Sequence, residues 1–227
     1  TQSRRVTLIF VTSGVTTAVT AARFLLLLPL WLAMLAGCAT RPEVGSIANP
    51  DFASHSTAVL ARTDWQLSGR LNVRQQNQSD TVNINWQQQA ERFDITLSST
   101  VLGLGTTRVT ASDSSVVVEK AGEAPVTLPS LQALTRDYLS FDFPATHLLY
   151  WVRGLPVPGL GGTLGFDTDN LLSTLTQDDG AGRRWQLTYD RYAAVDSVPL
   201  PGRIRLVAGE LQLTFLIREW QLSPSAP

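Results

Sequence analysis

From Trp65 onward, apolar residues recur at every second position. Leu67, Leu71 and Val73 alternate with Gln66, Ser68, Arg70, Asn72 and Arg74. Val82, Ile84 and Trp86 alternate with Thr81, Asn83, Asn85 and Gln87, and Phe93, Ile95 and Leu97 with Asp94, Thr96 and Ser98. A period of two sends successive side chains to opposite faces, so each run predicts a strand with one dry and one wet face, the habit of antiparallel sheets. The links "RQQNQSD" and "QQQAE" are polar, as turns facing water should be. Further short strands are predicted at Thr106–Thr110, Ser115–Lys120, Pro125–Leu128, Leu171–Thr176, Arg184–Asp190, Arg203–Val207 and Leu211–Leu222.

Three stretches follow helical spacing instead. Phe52, Val59 and Leu60 fall at i, i+7 and i+8. Leu131, Leu134, Tyr138 and Phe141 fall at i, i+3, i+7 and i+10, with Ser130 placed to cap them. Pro144 suits a first helical position, Ala145, Leu148, Leu149 and Val152 share the face behind it, Gly154 ends the helix and Pro156 blocks its continuation. The Gly/Pro-rich passage 157–165 reads as a loop. Ten or eleven short strands interrupted twice by helices predict one α+β domain. Its sheet curls around an apolar interior that the helices close; periodicity alone does not separate this from a two-sheet sandwich.

One connection breaks the rule of polar turns. "STVLGLGTT", residues 99–107, puts Val101, Leu102 and Leu104 around two glycines. Fully exposed, each would forgo about 1.5–3 kcal/mol of burial. Either the loop folds back onto the sheet, or it dips into a second apolar phase such as a bilayer.

The N-terminal region supplies a reason for a bilayer. Arg4, Arg5 and Arg23 precede Phe24–Leu35, twelve residues of "FLLLLPLWLAML". A helical span needs about 20 apolar residues, so this run has the proportions of a signal-peptide core. It leads into Leu35-Ala36-Gly37-Cys38, which resembles the lipobox of bacterial lipoproteins, and Cys38 is the only cysteine. The resemblance implies cleavage before Cys38, a diacylglycerol on its sulfur and an acylated amine; Ala39, in place of the aspartate that marks inner-membrane retention, implies the outer membrane. Residues 1–37 therefore read as a signal peptide, 38–50 as a lipidated flexible tether and 51–227 as the folded domain. The twelve residues 39–50 can reach about 40 Å at roughly 3.3 Å each.

Charge and chemistry narrow the function further. Apolar residues make up 44% of the chain, enough for a real core, while charged residues make up 16%. Of 18 basic residues, Arg4, Arg5 and Arg23 leave with the signal peptide; the remaining 15 face 19 acidic ones, a net charge of −4. That balance offers no basic field and excludes nucleic acid as a partner. There is no Gly-x-Ser-x-Gly elbow, no metal-ligand spacing and no phosphate loop around the single lysine, Lys120. His55 and His147 each sit alone in a predicted helix, and Asp178-Asp179-Gly180 reads as a turn. The expectation is a protein that is not an enzyme and needs no cofactor.

Several short features, taken in order, resemble the LolB family of outer-membrane lipoproteins. Tyr150-Trp-Val-Arg-Gly-Leu-Pro156 is similar to the family's W-x-x-G-L-P at a helix end. Trp185-Gln-Leu-Thr-Tyr189, Tyr192, Leu200-Pro201 and the closing "LQLTFLIREW" follow its C-terminal order, and Leu104-Gly-Thr-Thr107 its loop. The resemblance implies an incomplete, half-open antiparallel β-barrel of about eleven strands with helices capping an apolar cavity. It implies a monomer, facing the periplasm, that accepts acylated lipoprotein cargo from the carrier LolA and inserts it into outer-membrane lipid without nucleotide hydrolysis. A membrane-inserting loop leucine would be Leu104 by the "LGTT" alignment or Leu102 by the extra Leu-Gly, with Val101 beside them. Candidates for the cavity lining are Trp86, Phe93, Ile95, Leu97, Leu134, Tyr138, Leu148, Val152, Leu187 and Phe215. The alternative is a structural or assembly lipoprotein acting through protein–protein contacts.

Overall fold

A computed structural model describes residues 50–99, 105–112, 115–135 and 143–223. Cys38, Val101, Leu102, Leu104 and Tyr138 lie outside the described residues. In chain order the described elements are α1 (Pro50–Leu60), β1 (Asp64–Gln75), β2 (Gln78–Gln89), β3 (Arg92–Ser99), β4 (Thr106–Ser112), β5 (Ser115–Lys120) and β6 (Val126–Leu128). Then come a turn of helix α2 (Leu131–Ala133), a 3-10 turn (Ala145–His147), α3 (Leu148–Trp151), β7 (Gly162–Phe166), β8 (Leu172–Asp178) and β9 (Arg184–Asp190). β10 (Ala193–Val195), β11 (Val198–Leu200), β12 (Arg203–Ala208) and β13 (Leu211–Leu222) complete the chain.

Eleven strands make one antiparallel sheet in the order β6-β5-β4-β3-β2-β1-β13-β12-β9-β8-β7, and β10 with β11 forms a separate hairpin. The two outermost strands, β6 and β7, do not pair with each other, so the sheet curls without closing. This is the half-open barrel the sequence predicts, not a two-sheet sandwich. The alternating residues do what the pattern requires: Trp65, Leu67, Ile84, Trp86, Phe93, Val109, Leu187, Leu206, Leu213 and Phe215 are all buried in one core cluster.

Four departures from the sequence reading stand out, and the first two have plain physical causes. β7 runs through the passage read as loop, because its glycines serve close backbone approach: a Cβ on Gly162 would lie 2.7 Å from the Thr176 carbonyl of β8. The β10–β11 hairpin was not predicted; its two-residue turn puts Asp196 and Ser197 at φ 47° and 67°, without the glycine that signals such a turn. In α1, Phe52 and Val59 are buried as expected but Leu60 is 45% exposed. The helix behind Pro144 is a single 3-10 turn followed by four α-helical residues, with Pro144 itself at the cap.

The first and last described strands are joined at the centre of the sheet, where β1 pairs with β13 along most of its length. The register slips between Ser68 and Gly69, opposite Glu219 and Ile217, leaving Arg218 as the extra residue of a bulge. The bulge explains why the apolar alternation of "LQLTFLIREWQL" changes parity. Leu211, Leu213 and Phe215 face inward at odd positions, and Trp220 and Leu222 do so at even ones, opposite Leu67 and Trp65. Trp220 thereby meets Trp65 edge-on at 5.6 Å between ring centroids. Gly69 makes the slip sterically permissible: any Cβ there would strike the Leu216 carbonyl oxygen and lie 2.9 Å from the Ile217 Cα. Gly69→Ala is expected to cost about 1–3 kcal/mol, the usual penalty of overpacking against atoms that cannot yield. A lowered urea midpoint at unchanged m-value checks it, and an unchanged midpoint would mean that the bulge relaxes freely.

Candidate functional site

The curled sheet has two unlike halves. Around β7, β8, β9 and β12 the concave face is filled by protein. Trp151 and Trp185, both 0% exposed, pack with centroids 5.6 Å apart, and Leu187, Leu175 and Leu206 pack around them. Around β1 to β5 the filling runs out, and an apolar cavity of about 260 Å³ remains.

Its wall is built from cross-strand rows. Leu71 on β1 lies opposite Phe215 on β13. Ile84, Leu97, Thr107 and Lys120 form one row across β2 to β5, and Trp86, Ile95, Val109 and Val118 the next. Phe93 closes one end against Trp86, their centroids 6.4 Å apart. The Trp86 indole N–H is satisfied by the Gln88 Oε1 at 3.1 Å, so the ring presents carbon to the cavity at no hydrogen-bonding cost. Thr107 and the half-buried Lys120 are the polar lining residues, at the end where the Ser99 N–H meets the Gly105 carbonyl and residues 100–104 connect β3 to β4. The roof comes from the helical segments: Leu131 and Leu134, then Phe143, Ala145, Leu148 and Leu149.

Of the ten residues singled out for the cavity, Trp86, Phe93, Ile95, Leu97, Leu134, Leu148 and Phe215 come together on its wall. Tyr138 lies outside the described residues. Val152 and Leu187 do not line it; both are buried, at 0% and 1% exposure, in the filled half. Leu187 has the right parity, but strand order places β9 three strands from β1, and Val152 caps α3 beside Trp151, on the side where the two tryptophans occupy the interior. Sequence reasoning passed over Leu71, Ile84, Val109 and Val118, although each alternates correctly, because alternation does not say which inward residue meets a side chain and which meets empty space.

The Trp151–Pro156 motif is the joint between roof and sheet. Gly154, at φ +76°, ends α3 with the Leu155 N–H on the Tyr150 carbonyl and its own N–H on the Trp151 carbonyl, a Schellman closure. A Cβ there would sit 2.8 Å from the Tyr192 hydroxyl. The Gln177 amide on β8, 1% exposed, accepts from the Trp151 indole and the Val157 N–H, each at 3.0 Å, and donates to the Val157 and Leu160 carbonyls. Arg153 is buried beside the Trp65 ring, 5.7 Å from its centroid, and donates to the carbonyls of Leu149, Val59 and Arg62. Burial pushes its guanidinium below its ordinary pKa. It ties α1 and α3 together with backbone acceptors alone.

Among the described residues no group of histidine, cysteine and carboxylate side chains has the arrangement to hold a metal. His55 and His147 are both lowered in pKa by burial, and in His147 this prevails over the opposing pull of Asp179. No described helix is long and apolar enough to cross a membrane.

A half-open antiparallel sheet, roofed by short helices and hollow on one side, defines a class. In fold the chain is similar to a LolA superfamily protein from Nitrosomonas europaea, with TM-score 0.50 at 9% identity over 81% of this chain and 96% of that one. It is also similar to a DUF1329 family protein from Desulfovibrio piger, with TM-score 0.53 at 8% identity over 78% and 92% of the two chains. Sequence is more specific than fold. The family model described as "Outer membrane lipoprotein LolB" matches residues 63–220. The outer-membrane lipoprotein LolB of Stutzerimonas stutzeri is 36% identical over 200 residues, covering 86% of this chain and 94% of that protein. That of Pseudomonas aeruginosa is 34% identical over 194 residues, covering 84% and 92%. The chain belongs to the LolB family.

Ile95→Trp places a large ring in the middle row of the hollow half, away from the joint. A hydrophobic fluorescent probe titrated against this variant is expected to bind at least about tenfold more weakly, a loss of roughly 1.4 kcal/mol, with far-UV circular dichroism unchanged. Equal binding would place the probe elsewhere.

Proposed function

We propose that this protein is an outer-membrane lipoprotein receptor. It takes the acyl chains of other lipoproteins into the hollow half of its barrel and passes them to the membrane in which it is anchored. The observation that carries this reading is the apolar cavity between β1–β5 and the helical roof, in a chain of the LolB family. An oily hollow lined by leucine, isoleucine, valine and aromatic rings is matched by a hydrocarbon chain and by little else in a periplasm.

The energetics explain why no catalytic machinery is called for. A triacylated cargo exposes roughly 45 methylenes, at about 0.8 kcal/mol each on the order of 35 kcal/mol in water. No thermal step crosses that, so the chains pass from one sheltered site to another, from a LolA-like carrier to this cavity and then to lipid. Each step is driven by affinity difference, without nucleotide hydrolysis.

Cys38 provides the anchor and residues 39–50 the tether in this reading. The loop bearing Val101, Leu102 and Leu104 leaves the sheet at the polar end of the cavity, between Ser99 and Gly105. A lipid-seeking loop at that position delivers the cavity to the bilayer. Replacing Leu102 and Leu104 together by glutamate is expected to leave folding and cargo capture intact while reducing deposition of lipoprotein into vesicles at least about tenfold, the effect of losing some 1.4 kcal/mol of insertion energy. Undiminished deposition would remove the loop from the mechanism, and loss of cargo capture would assign it to the cavity instead.

A further inference from the structure

Beside the apolar cavity lies a second, polar one of about 170 Å³. The two share Leu131, Phe143 and Ala145 as a common wall. On the far side of that wall are Gln132, Thr135, Thr146, His147 and Asp179.

The charge balance of this second pocket is unusual for a lipid site. Asp179 is its one formally charged lining residue among those described. Burial opposes its charge, but the N–H groups of Arg183 and Ala181 and the Trp185 indole hold its carboxyl below the usual carboxylate range. Arg183 adds its charge from outside the lining. His147 contributes an uncharged imidazole at neutral pH, its Nδ1 buried without a hydrogen-bond partner, and its ring edge-on to Trp151 at 5.2 Å. Thr135 is 2% exposed, its hydroxyl donating to the Gln132 carbonyl. The described lining therefore offers hydroxyls, an amide and an imidazole for hydrogen bonding together with one negative charge.

We infer that this pocket is the subsite for the uncharged polar head of an acylated ligand, its ester and amide junction, and that it selects such ligands against the anionic heads of phospholipids and fatty acids. The inference rests on the acyl-chain reading of the neighbouring cavity and adds what that cavity cannot supply. Hydrocarbon is the same in a lipoprotein and in the membrane lipid that surrounds it in excess, so an apolar hollow alone discriminates between them by nothing. Discrimination has to come from the head, and specificity is a difference of affinities that a repulsive charge creates as effectively as an attractive one. Asp179 supplies such a charge in the pocket that shares a wall with the acyl site.

The test uses the full chain and two lipids of identical tail, monopalmitoylglycerol and the same molecule carrying a phosphate on its glycerol. Both are supplied in equimolar mixture and read by native mass spectrometry. The protein is expected to retain the neutral lipid about tenfold over its phosphate, the effect of one nearby like charge at intermediate dielectric. Thr146→Arg and Gln132→Arg each place a cation at an exposed position of the lining, away from the apolar wall, and are expected to abolish or reverse that preference while total lipid retained stays constant. Equal retention of both lipids by the unmodified chain, or a preference indifferent to either arginine, overturns the polar subsite and leaves the cavity standing. Retention of neither lipid overturns the acyl-chain reading itself, and the subsite with it.

Discussion

A curled sheet with one apolar face has to be covered, and the described cover is uneven; that unevenness is the constraint on which the molecule turns. Eleven strands line the concave surface. The described cover combines α1, which buries Phe52 and Val59, with the helical turns at Leu131–Ala133, Ala145–His147 and Leu148–Trp151. Two large indoles, Trp151 and Trp185, satisfy one half of the surface, and the other half is left facing a hollow. Empty space beside apolar side chains forfeits dispersion contacts and destabilises the fold. A hollow kept at that cost is useful only if something else comes to fill it.

Holding such a hollow open requires rigid borders, and the polar groups near it are arranged for that. Gln177 uses all four of its hydrogen-bonding positions to fasten α3 and the chain beyond it to β8. Arg153 does the same for α1 and α3 through backbone carbonyls, a buried cation compensated by dipoles and a ring rather than by an acid. These contacts secure α3 near the filled half. Over the hollow half the described cover includes Leu131, Leu134, Phe143 and Leu148, which present apolar side chains to the cavity.

The same geometry concentrates polar chemistry at the cavity's margins. Thr107 and Lys120 stand at the end toward residues 100–104, and the Asp179 pocket stands behind the partition of Leu131, Phe143 and Ala145. An acylated ligand is a long apolar body with a short polar head, so a site for it needs an oily interior with hydrogen-bonding groups at its edge. The convex face of the sheet takes no part in this; it carries cross-strand ion pairs such as Arg203 with Asp190, exposed on both sides and of small energetic weight.

Most of the strands were legible in the sequence because a half-buried strand writes its burial into a period of two. β5, β9 and β13 have the predicted boundaries, and one motif behind the family resemblance, Trp151–Pro156, forms the joint between roof and sheet. The short hairpin at Asp196-Ser197 and strand β7 were hidden, one lacking glycine where its turn has positive φ, the other rich in glycine for reasons of close packing. The parity change around Arg218 could be read in the sequence, but only the pairing of β1 with β13 explains it. What the sequence could not contain was the division between filled and hollow. Leu187 and Ile95 are equally apolar and equally inward, yet one packs on indoles and the other borders a void. That difference depends on which strands become neighbours and on which side chains the fold brings to each half, a property of the whole enclosed volume and of no local pattern.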